Sequence, residues 1–188
     1  MSIVVDDLGD DGLKRFAEID RSEEARTHYR QVGKALIAES VQDSIPNFFV
    51  EGDHHSLPEL VRVWQPVVDA GGVLLGAFEE GRLAGIALLG EEVAIDVVQL
   101  ALLFVSRPYR RCGVANALLD QCERLVRERD AAAIYVSSVP TESAVGFYLS
   151  RGFLPTEPLP GPLAKEPDDI HMLLTLSTVN GSKGALRT

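Results

Sequence analysis

Apolar side chains recur along this chain with two different periods. Over the first forty residues Leu13, Phe16 and Ala17, then Val32, Leu36 and Ile37, fall at three- and four-residue spacing, which predicts helices. Between them the run Asp20-Arg21-Ser22-Glu23-Glu24 carries capping residues and predicts a second helix start near Ser22. Residues 43–56, with Pro46, Asn47, Gly52 and the cluster Asp53-His54-His55, read as a loop. Leu60, Val61, Trp64 and Val67 mark a short amphipathic helix behind Pro58, with Pro66 as its kink or end. Gly71-Gly72 then switches the pattern to strands. Residues 73–78 and 83–89 read as a hairpin around a turn at 79–82, and 99–105 as a strongly apolar strand closed by Pro108. Val114, Leu118, Cys122, Leu125 and Val126 share one face of a helix that ends near Asp130. A strand over 132–137 completes a βαβ unit. A short helix over about 143–151 ends at Gly152, and a Pro/Gly-rich loop over 155–167 leads to a last strand at 170–176. The small polar residues from 180 to 188 predict a frayed tail.

Composition narrows the function classes. The 188 residues are 46% hydrophobic and 24% charged, which suits one globular domain, here 1–176, with 177–188 as a flexible tail. Acids outnumber bases by 28 to 18, a formal net charge of -10. That balance argues against nucleic acid as a partner, because phosphate binding needs a basic face, and against a polybasic membrane anchor. The longest apolar stretch, 93–105, is too short to span a bilayer and is broken by Asp96 and Gln99. Two cysteines, Cys112 and Cys122, make no disulfide framework, and the first residues lack a basic-then-apolar signal pattern. The expectation is a cytoplasmic protein.

The most informative stretch runs Leu102-Leu-Phe-Val-Ser-Arg-Pro-Tyr-Arg-Arg-Cys-Gly-Val-Ala115. It reads as a buried strand, a tight turn and a helix start. Helix N-termini carry unpaired N–H groups and partial positive charge, so they bind phosphate. Gly113 and Ala115 leave room for a diphosphate to approach the main chain, and Arg110 and Arg111 add cationic reach. The competing reading is a plain strand-to-helix turn with solvated arginines.

That stretch resembles the acetyl-CoA-binding motif of the GNAT (Gcn5-related N-acetyltransferase) superfamily, Gln/Arg-x-x-Gly-x-Gly/Ala, here Arg110-Arg-Cys-Gly113-Val-Ala115 behind Leu103-Phe-Val105. A second block, Val139-Pro-Thr-Glu-Ser-Ala144-Val-Gly-Phe147-Tyr148-Leu-Ser-Arg-Gly152-Phe153, is similar to the family's Asn-x-x-Ala-x-x-Phe/Leu-Tyr-x-x-x-Gly-Phe element, one helix and one strand further on. The resemblance covers about 73–176 and matches the N-terminal 70 residues only loosely. It implies an α/β (α+β) fold: a mixed, largely antiparallel sheet with helices on both faces. The strand carrying Phe104 and the strand carrying Ile134 would run parallel and splay apart. It implies acetyl-CoA as cosubstrate, with main-chain groups of Phe104 and Val105 along the pantetheine arm. The N–H groups of Arg111, Cys112, Gly113, Val114, Ala115 and Asn116 would meet the pyrophosphate. Thr141 would lie at the cofactor where many members have Asn. Tyr148 would protonate the departing thiolate, a role that suits a phenol whose ordinary pKa is about 10. Its competing reading is a core aromatic.

Gln99 stands where some family members place a catalytic Glu, and a carboxamide cannot take the amine's proton. Asp96, Glu91, Glu92 and Glu142 are substitutes by rough location, water is another, and no base is assigned. The leading reading is acetyl transfer by direct attack to a small-molecule or peptide primary amine, which would enter near the N-terminal helices and Asp168-Asp169. The alternative is a GNAT-like module that holds CoA for sensing or assembly without turnover. A nucleotide-binding βαβ domain is disfavoured, because the turn has neither a Walker ending nor G-x-G-x-x-G. Asp53-His54-His55 lacks a third metal ligand at diagnostic spacing, so no metal is expected. Cys112 has no companion His nearby, and Arg124, Arg127 and Arg129 alternate with acids as on a solvated helix face. Trp64 reads as core or as a wall of the acceptor pocket. Exposed strand edges are compatible with a homodimer.

Overall fold

The computed structural model describes residues 2–9, 12–47, 56–159 and 168–176. Strands β1 (Ile3–Asp7), β4 (Val73–Glu79), β5 (Arg82–Ala94), β6 (Val97–Val105), β7 (Ala133–Ser138), β8 (Leu154–Pro155) and β9 (Ile170–Thr175) form one sheet in the order β1-β4-β5-β6-β7-β9-β8. Every neighbouring pair is antiparallel except β6–β7. Helix α2 (Val114–Glu128) makes the crossover between those two strands, and α3 (Glu142–Ser150) follows β7. Helix α1 (Leu57–Asp69) precedes β4.

The apolar faces sort into two layers. Leu118, Leu119, Cys122 and Val126 of α2 pack with Val98, Leu100, Ile134, Val136, Ile170 and Met172. On the opposite face Leu13, Phe16, Leu60, Val67 and Val68 pack with Leu74, Ile86, Leu88 and Leu102. The mixed sheet, its helices on both faces and the parallel pair match the expectation from sequence.

The N-terminal region corrects it. Leu13 and Phe16 lie on a short 3-10 helix, Gly12–Glu18, but no helix starts at Ser22. Instead β2 (Glu23–Val32) and β3 (Ala35–Ile45) form a separate antiparallel ribbon. The spacing of Val32, Leu36 and Ile37 arises across its two-residue turn, where Gly33 has φ 58°. Glycine first in such a turn matches the twist of the strands it joins. Val32 and Ile37 are 53% and 41% exposed, so their periodicity does not report a core face. The ribbon docks through Tyr29 N–H to the Pro140 carbonyl (2.8 Å), and Gln31 donates to the Thr156 carbonyl (2.7 Å).

Two further boundaries moved. Pro66 does not end α1, because the helix runs a turn further and Ala70 N–H closes on the Pro66 carbonyl at 3.1 Å. β5 continues past Leu89 to Ala94 and turns into β6 at Ile95-Asp96, with Asp96 at φ 58°. The Asp53-His54-His55 cluster, most of the 155–167 loop and the 180–188 tail lie outside the described residues.

Candidate active site

Two irregularities in β6 build the site. β6 and β7 are in register only at Val97/Ala133, Val98/Ile134 and Gln99/Tyr135, and beyond that the strands separate. On the other edge Leu88 pairs with Leu102 but Leu89 with Leu100, so Ala101 is an extra residue, a bulge. The bulge changes which face each side chain takes. Val98 and Leu100 join the α2 layer, and Leu102 and Phe104 join the α1 layer. Gln99, alternating with Val98 and Leu100, therefore points with Leu102 and Phe104 toward α1. Ser137 and Asp169 share that face, since their alternating neighbours Val136 and Ile170 lie in the α2 layer.

A cavity of about 290 Å³ occupies the gap. Gln99 to Phe104 and Ser137 to Val139 form its flanks, α1 contributes Glu59, Leu60, Val63 and Trp64, and α3 contributes Ala144 and Tyr148. Arg21 and Asp169 complete it. Gln99 is only 3% exposed, and its Oε1 has no hydrogen-bond partner among the described residues. Ser137 Oγ donates to Asp169 Oδ2 at 2.6 Å. Glu59 is bound by Arg62 one turn along α1.

Tyr148 is buried, with its ring packed edge-on against Phe147 and Phe153. Burial pushes its phenol far above the ordinary range, and Cys122 adds to the shift. The group therefore stays protonated, as a proton donor must. The residue belongs to the core of the α2 layer and also lines the cavity.

The turn behind β6 leads to the N-terminus of α2. Arg111 has φ 62° and Gly113 φ 87°, both left-handed. The first bond of the helix runs from Ala117 N–H to the Gly113 carbonyl at 3.0 Å, so the N–H groups of Val114, Ala115 and Asn116 emerge from the helix end. A Cβ on Gly85 of β5 would sit 2.7 Å from Val114 Cγ1 and 2.9 Å from the Phe104 carbonyl oxygen. Gly85 thus lets this helix end settle on the sheet.

The cavity brings Gln99, Phe104 and Tyr148 together. The Arg111–Asn116 turn is not part of its lining. The Arg110 side chain turns back into the protein, donating to the Val105 carbonyl (3.3 Å) and the Arg21 carbonyl (2.9 Å) beside Glu23. Thr141 is buried and caps α3, accepting from Ala144 N–H at 3.4 Å. The Cys112 thiol lies 3.5 Å from the Arg110 carbonyl. Arg124 and Arg127 pair with Glu128 and Glu123 along α2, and Arg129 donates to the Gly90 carbonyl. The acids suggested by rough location do not fit: Glu91, Glu92, Asp96 and Glu142 are exposed and line no part of the cavity. The carboxylates that do are Glu59, which sequence reasoning passed over, and Asp169, which it named only as part of the entrance. Among the described residues no three His, Cys, Asp or Glu side chains gather to hold a metal ion, and no helix is long and apolar enough to cross a membrane.

The profile described as "Acetyltransferase (GNAT) domain" matches residues 55–159, more than half of the sequence. The chain belongs to the GNAT acetyltransferase family. Solved structures of GNAT proteins share its fold. A protein from Bacillus anthracis str. Ames, named provisionally a streptothricin acetyltransferase and bound to acetyl coenzyme A, is 17% identical with TM-score 0.68, covering 94% of this chain and all of its own. A nourseothricin acetyltransferase is 15% identical with TM-score 0.66, covering 93% and 99%. The PaiA N-acetyltransferase from Thermoplasma acidophilum, in complex with coenzyme A, is 18% identical with TM-score 0.59, covering 94% and 100%. No functionally curated protein matches the chain in sequence. As a GNAT enzyme it is an acetyltransferase.

Proposed function

We propose that this GNAT protein transfers the acetyl group of acetyl-CoA to a primary amine by direct attack, with Tyr148 as the general acid. The observation that carries the reading is the cavity in the β6–β7 gap, walled by Tyr148 on one side and α1 on the other. Among the described residues β6 has β5 on one edge and, past Gln99, no strand on the other. The edge at Phe104 and Val105 can therefore pair with the pantetheine arm as an added strand would. The Phe104 carbonyl lies against Gly85 of β5, so the main chain that faces the open edge here is that of Val105, whose carbonyl accepts from Arg110. The end of α2, with its emergent N–H groups, fits the pyrophosphate.

Acetyl-CoA brings an activated thioester, so the protein has to position and polarise it. The bulge at Ala101 interrupts the β5–β6 ladder and leaves main-chain groups unpaired that could polarise a carbonyl. A neutral amine attacks the carbonyl carbon, the C–S bond breaks as the Tyr148 hydroxyl gives its proton to sulfur, the nitrogen sheds its extra proton to water, and water returns a proton to the Tyr148 phenolate. A phenol with a raised pKa is a weak acid, but a thiolate leaving into the same buried space is a stronger base than in water. Direct transfer is favoured over a cysteine-bound intermediate because neither cysteine lines the cavity: Cys122 is buried in the α2 layer and Cys112 sits at the turn. The acceptors named for the structural neighbours differ greatly, nourseothricin in one and the alanine of ribosomal protein S18 in another, so the shared fold does not choose the amine.

Gln99 favours a second reading, in which the protein holds CoA without turnover. Free-thiol release from acetyl-CoA by the wild-type protein, once CoA binding is established, separates the two, and substitution of Tyr148 by Phe then tests the acid. If the phenol is the acid, chemistry-limited turnover falls about 100-fold or more while acetyl-CoA binding holds. Full turnover in that variant would remove the acid role from Tyr148.

A further inference from the structure

We infer that Arg151 is a positioning residue for the proton donor: it ties the helix that carries Tyr148 to the cofactor end of α2. The inference rests on the acetyl-transfer reading, in which Tyr148 is the acid and the start of α2 meets the pyrophosphate.

A general acid works only where its proton reaches the leaving atom, and a displacement of about 1 Å can cost about 100-fold in rate. The ring contacts of Tyr148 are edge-on and apolar, so its hydroxyl is aimed by the placement of α3 itself. That helix has nine residues, too few to be held by its own hydrogen bonds. Its N-terminal end hangs on the ribbon. Thr141 caps it and bridges to His28, and Tyr29 N–H donates to the Pro140 carbonyl.

The other end is tied by Arg151, one turn beyond Tyr148. Its backbone N–H closes on the Phe147 and Tyr148 carbonyls, at 3.1 Å each. Its guanidinium reaches across to α2. There it donates to Asp120 Oδ1 at 2.5 Å, Glu123 Oε1 at 2.8 Å and Asn116 Oδ1 at 3.4 Å. The three acceptors recur at four- and three-residue spacing, so they share one face of α2. Asn116 lies in the first turn, beside the emergent N–H groups, and Glu123 is steadied in turn by Arg127. A planar guanidinium held by several acceptors on one helix has a fixed direction, which a lysine ammonium would lack. The grip on α2 therefore passes through the Arg151 backbone to Tyr148. Ion pairs near the surface add little to stability, so this tie should register in the rate more than in the melt.

The test is a kinetic cycle with acetyl-CoA and n-butylamine, or whichever of a panel of primary amines gives the fastest thiol release. It compares wild type, Arg151→Gln, Tyr148→Phe and the double variant, with thermal melts to establish that each is folded at the assay temperature. Arg151→Gln should lower chemistry-limited kcat about 10-fold and leave the KM for acetyl-CoA within about threefold. Arg151→Lys, which keeps the charge, should fall only about threefold. Asp120→Asn, which loosens the same tie from α2, should fall about threefold and covers the case in which Arg151→Gln does not fold. In the Tyr148→Phe background both Arg151→Gln and Asp120→Asn should change kcat by less than about twofold, because no acid is left to misplace. The same fall in both backgrounds would overturn the inference, because Arg151 would then act on something other than the acid. Unchanged kcat in Arg151→Gln, beside a large fall in Tyr148→Phe, would overturn it while leaving the acid and acetyl transfer standing. Unchanged kcat in Tyr148→Phe would remove the acid and the inference together, and a wild type that binds CoA but releases no thiol would remove the acetyl-transfer reading itself.

Discussion

The Arg110 guanidinium donates to the carbonyl oxygen of Arg21 at 2.9 Å, 89 residues away in sequence. Through this contact the turn that begins α2 is fastened to the segment entering the ribbon. A charged donor to a part-buried carbonyl contributes about 2 kcal/mol. Arg110→Ala should therefore lower the melting temperature by roughly 5 °C. Because the side chain faces inward, acetyl-CoA affinity measured well below the melt should change by less than about threefold. A large affinity loss with an unchanged melt would return Arg110 to the cofactor.

Two glycines near this turn act for different reasons. A Cβ at Gly113 meets only Ile3 Cδ1, at 3.8 Å, so the cost of Gly113→Ala is conformational. It should be about 1–2 kcal/mol, with weaker acetyl-CoA binding as the N–H groups re-aim. Gly85→Ala is instead a steric clash with Val114 and the Phe104 carbonyl, expected to cost about 1–3 kcal/mol and to shift the start of α2. Denaturant titrations and CoA titrations of both variants check this pair.

Thr141 is expected to act as a helix cap. Thr141→Val keeps the shape but removes the acceptor for Ala144 N–H, and should cost about 1 kcal/mol. Thr141→Asn, also a good cap, should retain stability. Equal unfolding midpoints for all three proteins would show that the cap contributes nothing.

Two buried acids set the behaviour in alkali. Burial pushes the Cys122 thiol up to about 12 and the Tyr148 phenol higher still. In the unfolded chain they ionise near their ordinary values of 9.0 and 10.0. Above pH 9 the unfolded state then holds fewer protons than the native state, so stability falls as pH rises. Between about pH 9 and 12 the Cys122 share is on the order of 4 kcal/mol. Urea unfolding from pH 7.5 to 10.5 should show this decline, and Cys122→Ala should flatten it while lowering stability at neutral pH. In the native protein a thiol reagent should modify Cys112 and spare Cys122.

The cofactor half of the molecule was legible because its constraints are local. Gly113 in a left-handed turn, the apolar β6 and the one-faced α2 each follow from a few adjacent residues. The ribbon was misread because Val32, Leu36 and Ile37 belong to two strands and mimic a helical period across a turn. A glycine-first turn between Val32 and Ala35, flanked by alternating Thr27, Tyr29 and Gln31, was the available signal. The acceptor half was hidden for another reason. Gln99, Ser137 and Asp169 meet through strand register, a bulge at Ala101 and a 32-residue separation between hydrogen-bonded partners. None of these has a local signature, and the acids closest in sequence to Gln99 lie on an exposed turn instead.

The central claim is that this GNAT protein uses its β6–β7 cavity to acetylate a primary amine. The most direct measurement follows a purified sample with acetyl-CoA and n-butylamine, counting free thiol by absorbance and acetamide by mass spectrometry. The account predicts one acetamide for each thiol released, with both slowed together by Tyr148→Phe. Tight CoA binding with neither product formed, across n-butylamine and a panel of other primary amines, would contradict it.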